Sequence, residues 1–223
     1  SGDVLELGCG EGRGIDIILK KSKSYTAIDK ISVMTEKLSQ KYPNGKFISS
    51  SFPPIGNIKD NSFNTILSFQ VIEHIKNDKL FMKEIYRTLK PGGVALLSTP
   101  NINMTLTRNP WHVREYTSNQ LKKLASINFK EIIMKGISGN EKVMEYYYDN
   151  KKSVSKFKRI DILNLEKHLP NFLYKIPYEI LNRVNRKKLE SNNSTLVSSI
   201  STDDYILCKD SPENLDLFLI LKK

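Results

Sequence analysis

Long apolar runs are missing from this chain. No stretch approaches the roughly 20 consecutive apolar residues that cross a bilayer as a helix, and no secretory signal opens it. Cysteine is scarce: Cys9 and Cys208 lie far apart among 223 residues, and no C-x-x-C occurs. A disulfide framework is not expected, and a reducing cytoplasm is the simpler setting. Of three histidines, two stand far from any carboxylate pair at ligand spacing, so no metal is expected. Acidic residues are the minority, 24 against 35 Lys and Arg, for a formal net charge of +11. That surplus favours anionic partners, but no nucleic-acid-binding module is visible, and nucleic acid is not expected.

What is present begins at once. Val4-Leu5-Glu6-Leu7 supplies the apolar run of a strand covered on both faces, and it feeds directly into Gly8-Cys9-Gly10-Glu11-Gly12-Arg13-Gly14. Glycines there remove the side chains that would hold a ligand off the backbone. The following helix (Ile15, Ile17, Ile18 and Leu19 on its apolar side) aims unpaired N–H groups at whatever binds. A dinucleotide turn needs G-x-G-x-x-G. Here Arg13 replaces the third glycine, and Glu6 places an anion where a pyrophosphate would sit. A ligand bearing an ammonium group is better matched. The second strand, Ser24 to Asp29, ends in an acid about 20 residues on, the spacing at which such an acid grips ribose hydroxyls. Ribose plus an amino-acid ammonium group points to S-adenosylmethionine.

Four blocks resemble the class I S-adenosylmethionine-dependent methyltransferases, including the ubiquinone-biosynthesis O-methyltransferases and glycan- and lipid-pathway relatives. They are Leu5 to Gly12, Ile28-Asp29, Phe63 to Ile75 (with Glu73-His74), and Leu89-Lys90-Pro91-Gly92-Gly93 running on to Asn101. The resemblance covers roughly residues 3–135 and the final strand. It implies an α/β fold: a doubly wound, Rossmann-like, mostly parallel seven-stranded sheet whose last strand is antiparallel. It also implies a helix ahead of the first strand, where this chain opens.

Periodicity fills in the rest. Val33, Met34, Leu38 and Tyr42 mark a helix, Lys46–Ser50 a third strand, and Asn77–Lys90 a helix stopped by Pro91-Gly92-Gly93. Thr117–Ile127 reads as a helix, Phe129–Met134 as a sixth strand and Asn214–Leu221 as the last. The expected units are a cofactor-binding core (1–138), a helical insertion between the last two strands (139–201), and a return to the core (202–223). Within the insertion, Lys156–Leu189 predicts two or three amphipathic helices broken at Pro170 and Pro177, with Phe157, Ile160, Leu173, Ile176 and Ile180 among the residues turned inward. Ser191–Thr195 reads as a loop. A cover over the substrate pocket is favoured for this segment; a membrane-surface contact through its basic faces is the sharper alternative.

The resemblance assigns Glu6 and the backbone of Gly8, Cys9 and Gly10 to the methionine end of the cofactor. Asp29 and Lys30 fall to its ribose, and Ser68, Phe69 and Gln70 pass beneath the methionine. An aspartate expected after strand three, on adenine, is replaced by Ser51, leaving Phe52 and nearby backbone to compensate. A sulfonium methyl is already electrophilic, so the protein chiefly aligns the reactants. An oxygen acceptor also needs a base. His112 is the first candidate and His74 the second, while His168 reads as a surface residue. The acceptor is expected to be a small molecule, a glycan or a lipid-linked group. A catalytically silent methyltransferase-like protein and, behind it, a NAD-binding oxidoreductase are the alternatives.

Overall fold

A computed structural model of the chain describes residues 2–160, 170, 173–176, 178–180, 183–184 and 194–223, with residues 157–160 described in backbone only. Pro177, His168 and most of the expected Lys156–Leu189 helices lie outside the described residues.

One sheet organises the chain, in the order β3-β2-β1-β4-β5-β8-β6-β7. The strands are β1 (Asp3–Leu7), β2 (Ser24–Asp29), β3 (Lys46–Ser49), β4 (Phe63–Phe69), β5 (Leu89–Pro100), β6 (Glu131–Gly139), β7 (Tyr205–Lys209) and β8 (Asp216–Lys222). β1 to β5 pair in parallel, and β8 runs antiparallel between β5 and β6. Among the described residues the sheet has eight strands, against the expected seven. The additional one, β7, pairs antiparallel with β6 at the edge, so the insertion joins β6 to β7 rather than the last two strands. β7 was illegible because an edge strand exposes both faces: Tyr205, Ile206 and Leu207 are all exposed, and no inward–outward alternation results.

Two apolar layers hold the helices. Leu5 and Leu7 of β1, Ile66, Ala95, Leu97 and Leu219 belong to one core, filled by Phe81, Met82 and Ile85 of α3 (Asp78–Thr88) and by Leu121, Leu124 and Ala125 of α4 (Ser118–Ala125). On the opposite face, Val4, Tyr25, Ala27 and Leu67 pack with Ile15 of α1 (Ile15–Lys21) and Leu38 of α2 (Ser32–Lys41). Two expected core positions are exposed instead, Ile17 at 65% and Val33 at 69%. Their helices each bury a narrower stripe than the sequence suggested, and on α2 Thr35 is buried together with Leu38. Caps fix the helix starts: Asn77 accepts from Leu80 N, and Thr117 with Gln120 forms a capping box.

The insertion opens with α5 (Glu141–Ile160), a single 20-residue helix that starts earlier than expected. Residues 173–176 and 178–180 are also helical, and α6 (Ser194–Ser199) takes up Ser194 and Thr195, which were read as loop. Leu173, Ile176 and Ile180, expected inside, are exposed. Among the described residues no helix is long and apolar enough to cross a membrane.

The loop after β3 is pinned by Arg87 of α3. Its guanidinium donates to Ile58 O at 2.7 Å, Ile55 O at 3.1 Å, Asp60 Oδ1 at 2.8 Å and Glu84 Oε1 at 2.8 Å. Glu84 in turn accepts Ile55 N at 2.8 Å. Arg87→Ala strands the buried Glu84 carboxylate and should lower the unfolding free energy by about 2–3 kcal/mol in urea denaturation; a loss below ~0.5 kcal/mol contradicts this role. The Arg87 hydrogen bond also holds the Glu84 carboxyl below its ordinary value of 4.5. That share of stability is full above this value and disappears as pH falls through the lower folded-state value.

Candidate active site

Parallel strands deliver their C-terminal ends to one edge of the sheet, and the chemistry-bearing residues collect there. β1 ends at the glycine turn. Gly8 has φ +82°, and a Cβ on it would stand 2.5 Å from Val71 Cγ2, so the site demands glycine for packing. Gly10, with φ +50°, differs: a Cβ there meets nothing within 4 Å. The turn is therefore tight beneath and open above, as a ligand-facing loop must be.

Two buried carboxylates flank it. Asp29, 7% exposed, accepts Gly10 N at 2.9 Å through Oδ2 and Ile31 N at 3.0 Å through Oδ1. Each carboxylate oxygen has a second lone pair, so Asp29 can hold the turn and still accept from a ligand hydroxyl. Glu6, 8% exposed, accepts the Tyr25 hydroxyl through Oε2. Burial raises its pKa, the Tyr25 hydrogen bond opposes that, and Asp29 adds to it. Sequence reasoning missed Tyr25, whose partner 19 residues away is set only by the pairing of β1 with β2.

A cleft of about 590 Å³ opens on the α1 side of this edge, lined among others by Glu6, Gly8, Cys9, Gly14, Leu67 and Phe69. Phe69, 39% exposed, stacks on Phe218 with ring centroids 6.3 Å apart. Ser68 does not join it. Side chains alternate along β4, so Leu67 and Phe69 face the cleft, whereas Ser68 is 1% exposed and its hydroxyl is buried without a hydrogen-bond partner. Gln70 follows at φ +57°, its N donating to Ser98 O at 3.0 Å. Lys30 and Ser51 are exposed at the ends of β2 and β3, and Phe52 stacks on Phe81 at 5.9 Å.

His74 and His112, weighed separately in the sequence, form a pair. Their rings meet edge to face with centroids 4.9 Å apart. His74 Nδ1 lies 2.9 Å from Trp111 O, so this nitrogen carries the proton and donates, leaving the Nε2 lone pair. Burial lowers the His74 pKa, with His112 and Lys30 adding to the effect against the Trp111 hydrogen bond; the ring is neutral at pH 7. His112 Nδ1 lies 2.6 Å from Glu115 Oε1, and its Nε2 lies 2.9 Å from Asn109 Nδ2. Because Asn109 Oδ1 accepts Trp111 N at 3.0 Å, the amide orientation is fixed: Asn109 donates to Nε2, and Nδ1–H donates to Glu115.

Glu73 binds the two histidines to the sheet. It is 1% exposed, accepts Thr99 Oγ1 at 2.9 Å, and its carbonyl accepts Val113 N at 2.7 Å. Glu73, His74 and His112 thus present ligand-type atoms within 4.8 Å of one another, a cluster not anticipated when two of the three histidines were placed far from any carboxylate pair at ligand spacing. A cation there would displace the Asn109 hydrogen bond from His112. Asp216 was also missed: β8 begins at this edge, and burial raises its carboxyl to about 6, opposed by a Gln70 hydrogen bond. Nothing local in the sequence marks it.

The insertion leans over the same loop. Tyr147 donates to Met104 O at 3.0 Å, Lys175 Nζ stands 3.7 Å from the Trp111 ring centroid, and Arg108 lies 4.9 Å from that of the buried Tyr174.

The sheet order, the glycine turn and the acid ending β2 define the class of fold: a doubly wound, Rossmann-like domain of the methyltransferase type. Comparison with known proteins agrees. Residues 5–97 match the methyltransferase domain family. A protein of Mycolicibacterium smegmatis described as a probable S-adenosylmethionine-dependent methyltransferase is 35% identical over 127 residues, 55% of this chain and 49% of that one. The ubiquinone biosynthesis O-methyltransferase of Rickettsia bellii is 28% identical over 103 residues, 44% of this chain and 42% of that one. The chain spans about half the length of these curated relatives. A solved S-adenosylmethionine-dependent methyltransferase from Archaeoglobus fulgidus shares the fold, with a TM-score of 0.57 at 16% identity, covering 99% of this chain and 86% of that one. Over residues 5–97 the chain is thus similar to class I S-adenosylmethionine-dependent methyltransferases, whose cofactor is S-adenosylmethionine.

Cys9 lends the turn its backbone rather than its thiol. Burial, with Asp29 and Glu6 adding, pushes the Cys9 thiol up to about 12, so it is protonated at neutral pH and a poor nucleophile. In native protein at pH 7.5, iodoacetamide followed by mass spectrometry should leave Cys9 unmodified. Alkylation as fast as in the urea-unfolded chain would contradict this environment.

Proposed function

We propose that this protein transfers a methyl group from S-adenosylmethionine to an oxygen of a small-molecule, glycan or lipid-linked acceptor. The observation that carries the reading is the meeting, at one sheet edge, of an open glycine turn, two buried carboxylates and two histidines packed ring to ring. In this reading Asp29 takes the ribose hydroxyls on its remaining lone pairs, beside Lys30. The turn backbone at Gly8, Cys9 and Gly10 holds the methionine end, with Glu6 as the nearest anion to its ammonium group. Phe69 and Gln70 border the methionine, and Ser51 and Phe52 stand where adenine would lie. The active region is expected in the cytoplasm.

His112 is the favoured base. Glu115 holds its Nδ1–H as a carboxylate orients the histidine of a hydrolase triad, which leaves Nε2 to take a proton. That nitrogen now accepts from Asn109, so an acceptor hydroxyl must replace the amide at Nε2. His74, packed against His112 and neutral, holds the ring in place. The insertion, resting on the loop between β5 and α4 that carries His112, covers the acceptor side and selects what enters.

Calorimetry tests the cofactor side. S-adenosylhomocysteine should bind in preference to NAD, and Asp29→Ala should weaken it by about 1–3 kcal/mol, the usual worth of hydrogen bonds to a charged group. Equal or tighter NAD binding sinks the reading.

Turnover tests the base. With an accepted hydroxyl substrate, His112→Gln should lower kcat by about 10²–10⁴-fold while leaving S-adenosylhomocysteine affinity unchanged. If kcat survives, the reaction needs no base at this position and methylation at oxygen is the wrong assignment.

A further inference from the structure

Glu73 is a buried carboxylate with no fixed cation beside it. It is 1% exposed, and among the described residues no lysine or arginine pairs with it. Carboxylates are seldom carried so far from water unless an opposite charge or a metal ion meets them. Oε2 accepts the Thr99 hydroxyl at 2.9 Å, whereas Oε1 stands 3.9 Å from His74 Nε2, beyond hydrogen-bonding range. His112 completes a group in which each residue brings one ligand-type atom within 4.8 Å of the others.

The hydrogen bonds around these three side chains are those that metal ligands carry. A histidine that holds an ion through one ring nitrogen donates the N–H of the other to a carbonyl or carboxylate, which fixes its tautomer and ring orientation. His74 does so through Nδ1 to Trp111 O at 2.9 Å, and His112 through Nδ1 to Glu115 Oε1 at 2.6 Å. Both rings therefore keep their lone pair on Nε2. With Thr99 on Oε2, the glutamate offers Oε1. Two imidazole nitrogens and one carboxylate oxygen are a donor set that suits zinc and neighbouring first-row ions. Such an ion bonds at about 2.0–2.2 Å, which places tetrahedral ligand atoms ~3.4 Å apart, so the Glu73–His74 pair has to close by about 0.5 Å. The His74 side chain, 40% exposed, has room for that shift and gives the ion a way in. One bond is given up: Asn109 Nδ2, 2.9 Å from His112 Nε2, must turn away.

We propose that Glu73 Oε1, His74 Nε2 and His112 Nε2 form a binding site for a divalent transition-metal ion, zinc foremost. The ion ties the short helical turn Ile72–His74, after β4, to the loop between β5 and α4. Three protein ligands leave a position for water or for an oxygen of another molecule. Metal binding and the base role of His112 exclude each other, because both use the Nε2 lone pair. In the loaded protein His112 is a ligand, and in the empty protein it can take a proton.

Calorimetric titration of the EDTA-treated full chain with zinc tests this without cofactor or acceptor, so its failure leaves the methyl-transfer reading standing. The wild type should bind one Zn²⁺ with a Kd of roughly 1 µM or below. His74→Gln and His112→Gln should each weaken binding by at least about tenfold, since losing even a group that only orients a ligand costs that much. Glu115→Gln, which removes the charge behind His112, should weaken it by about 10–100-fold. His168→Asn and Cys208→Ser should leave the Kd unchanged. Co²⁺ in place of zinc should give visible absorption bands without the ultraviolet charge-transfer band of a thiolate ligand. Near-ultraviolet circular dichroism is the control for folding. If a glutamine variant fails it, ring ¹⁵N spectra of the wild type decide: zinc should shift Nε2 of two of the three histidines and leave Nδ1 of both protonated. Three results overturn the proposal. One is a wild-type Kd for zinc weaker than about 100 µM. Another is binding that folded His74 and His112 variants leave unchanged, or ring nitrogens that zinc does not shift. The third is binding lost in His168→Asn or Cys208→Ser, which puts the ion elsewhere on the chain.

Discussion

The Asp29 carboxylate joins two strand ends that would otherwise be independent. It accepts the N–H of Gly10 with one oxygen and that of Ile31 with the other. The turn after β1 is thereby clamped to the start of the connection after β2. Without a side chain at Gly10 the turn has no packing of its own on its open side, so its shape rests on that clamp and on Gly8 N donating to Ile28 O at 2.8 Å. In the proposed reading, the acid that meets the ribose is thus also the one that shapes the turn beside it. In that reading binding and scaffolding share one side chain, and substitutions there act on both.

A second clamp works at the ends of β4 and β5. Glu73, pushed into the core, gives its carboxylate to Thr99 and its carbonyl to Val113. Arg114 pairs with Asp78 and donates to Lys76 O at 3.0 Å, while Tyr116 donates to Asp78 at 2.9 Å. The segment from Asn109 to Tyr116 is fastened at several points, and the two histidines are held ring to ring by chain that is distant in sequence. Burying Glu73 costs desolvation, which its raised pKa records; the hydrogen bonds offset that cost and give the loop one geometry. Above this clamp the insertion adds its own contacts through Tyr147, Tyr174 and Lys175, so it rests directly on the loop that carries His112.

Much of the core was legible because its signals are local. A both-faces-buried strand followed by glycines, an acid at the end of the next strand, caps at Asn77 and Thr117, and a stop after α3 each reside in a few adjacent residues. Errors arose where burial depends on a neighbour. Ile17 and Val33 fit the helical period yet lie outside the stripe that meets the sheet. β7 has no alternation because it is an edge. Leu173, Ile176 and Ile180 have the right period for a buried face and turn it to solvent, since periodicity states that a face exists and not what lies against it. Ser68 belonged to the correct strand but to its other face, where its hydroxyl is buried.

The sequence by itself determined the class of fold, the glycine turn and the acid at the end of β2, because strand burial, backbone freedom and short-range spacing are properties of neighbouring residues. The tertiary structure alone decided which groups meet across long loops. It paired His74 with His112, put Glu115 on one ring and Trp111 O beside the other, set Tyr25 on Glu6, and brought Asp216 from the far end of the chain to the same edge. Hydrogen bonds and desolvation act over a few ångströms of space, and the chain's own order carries no record of those distances.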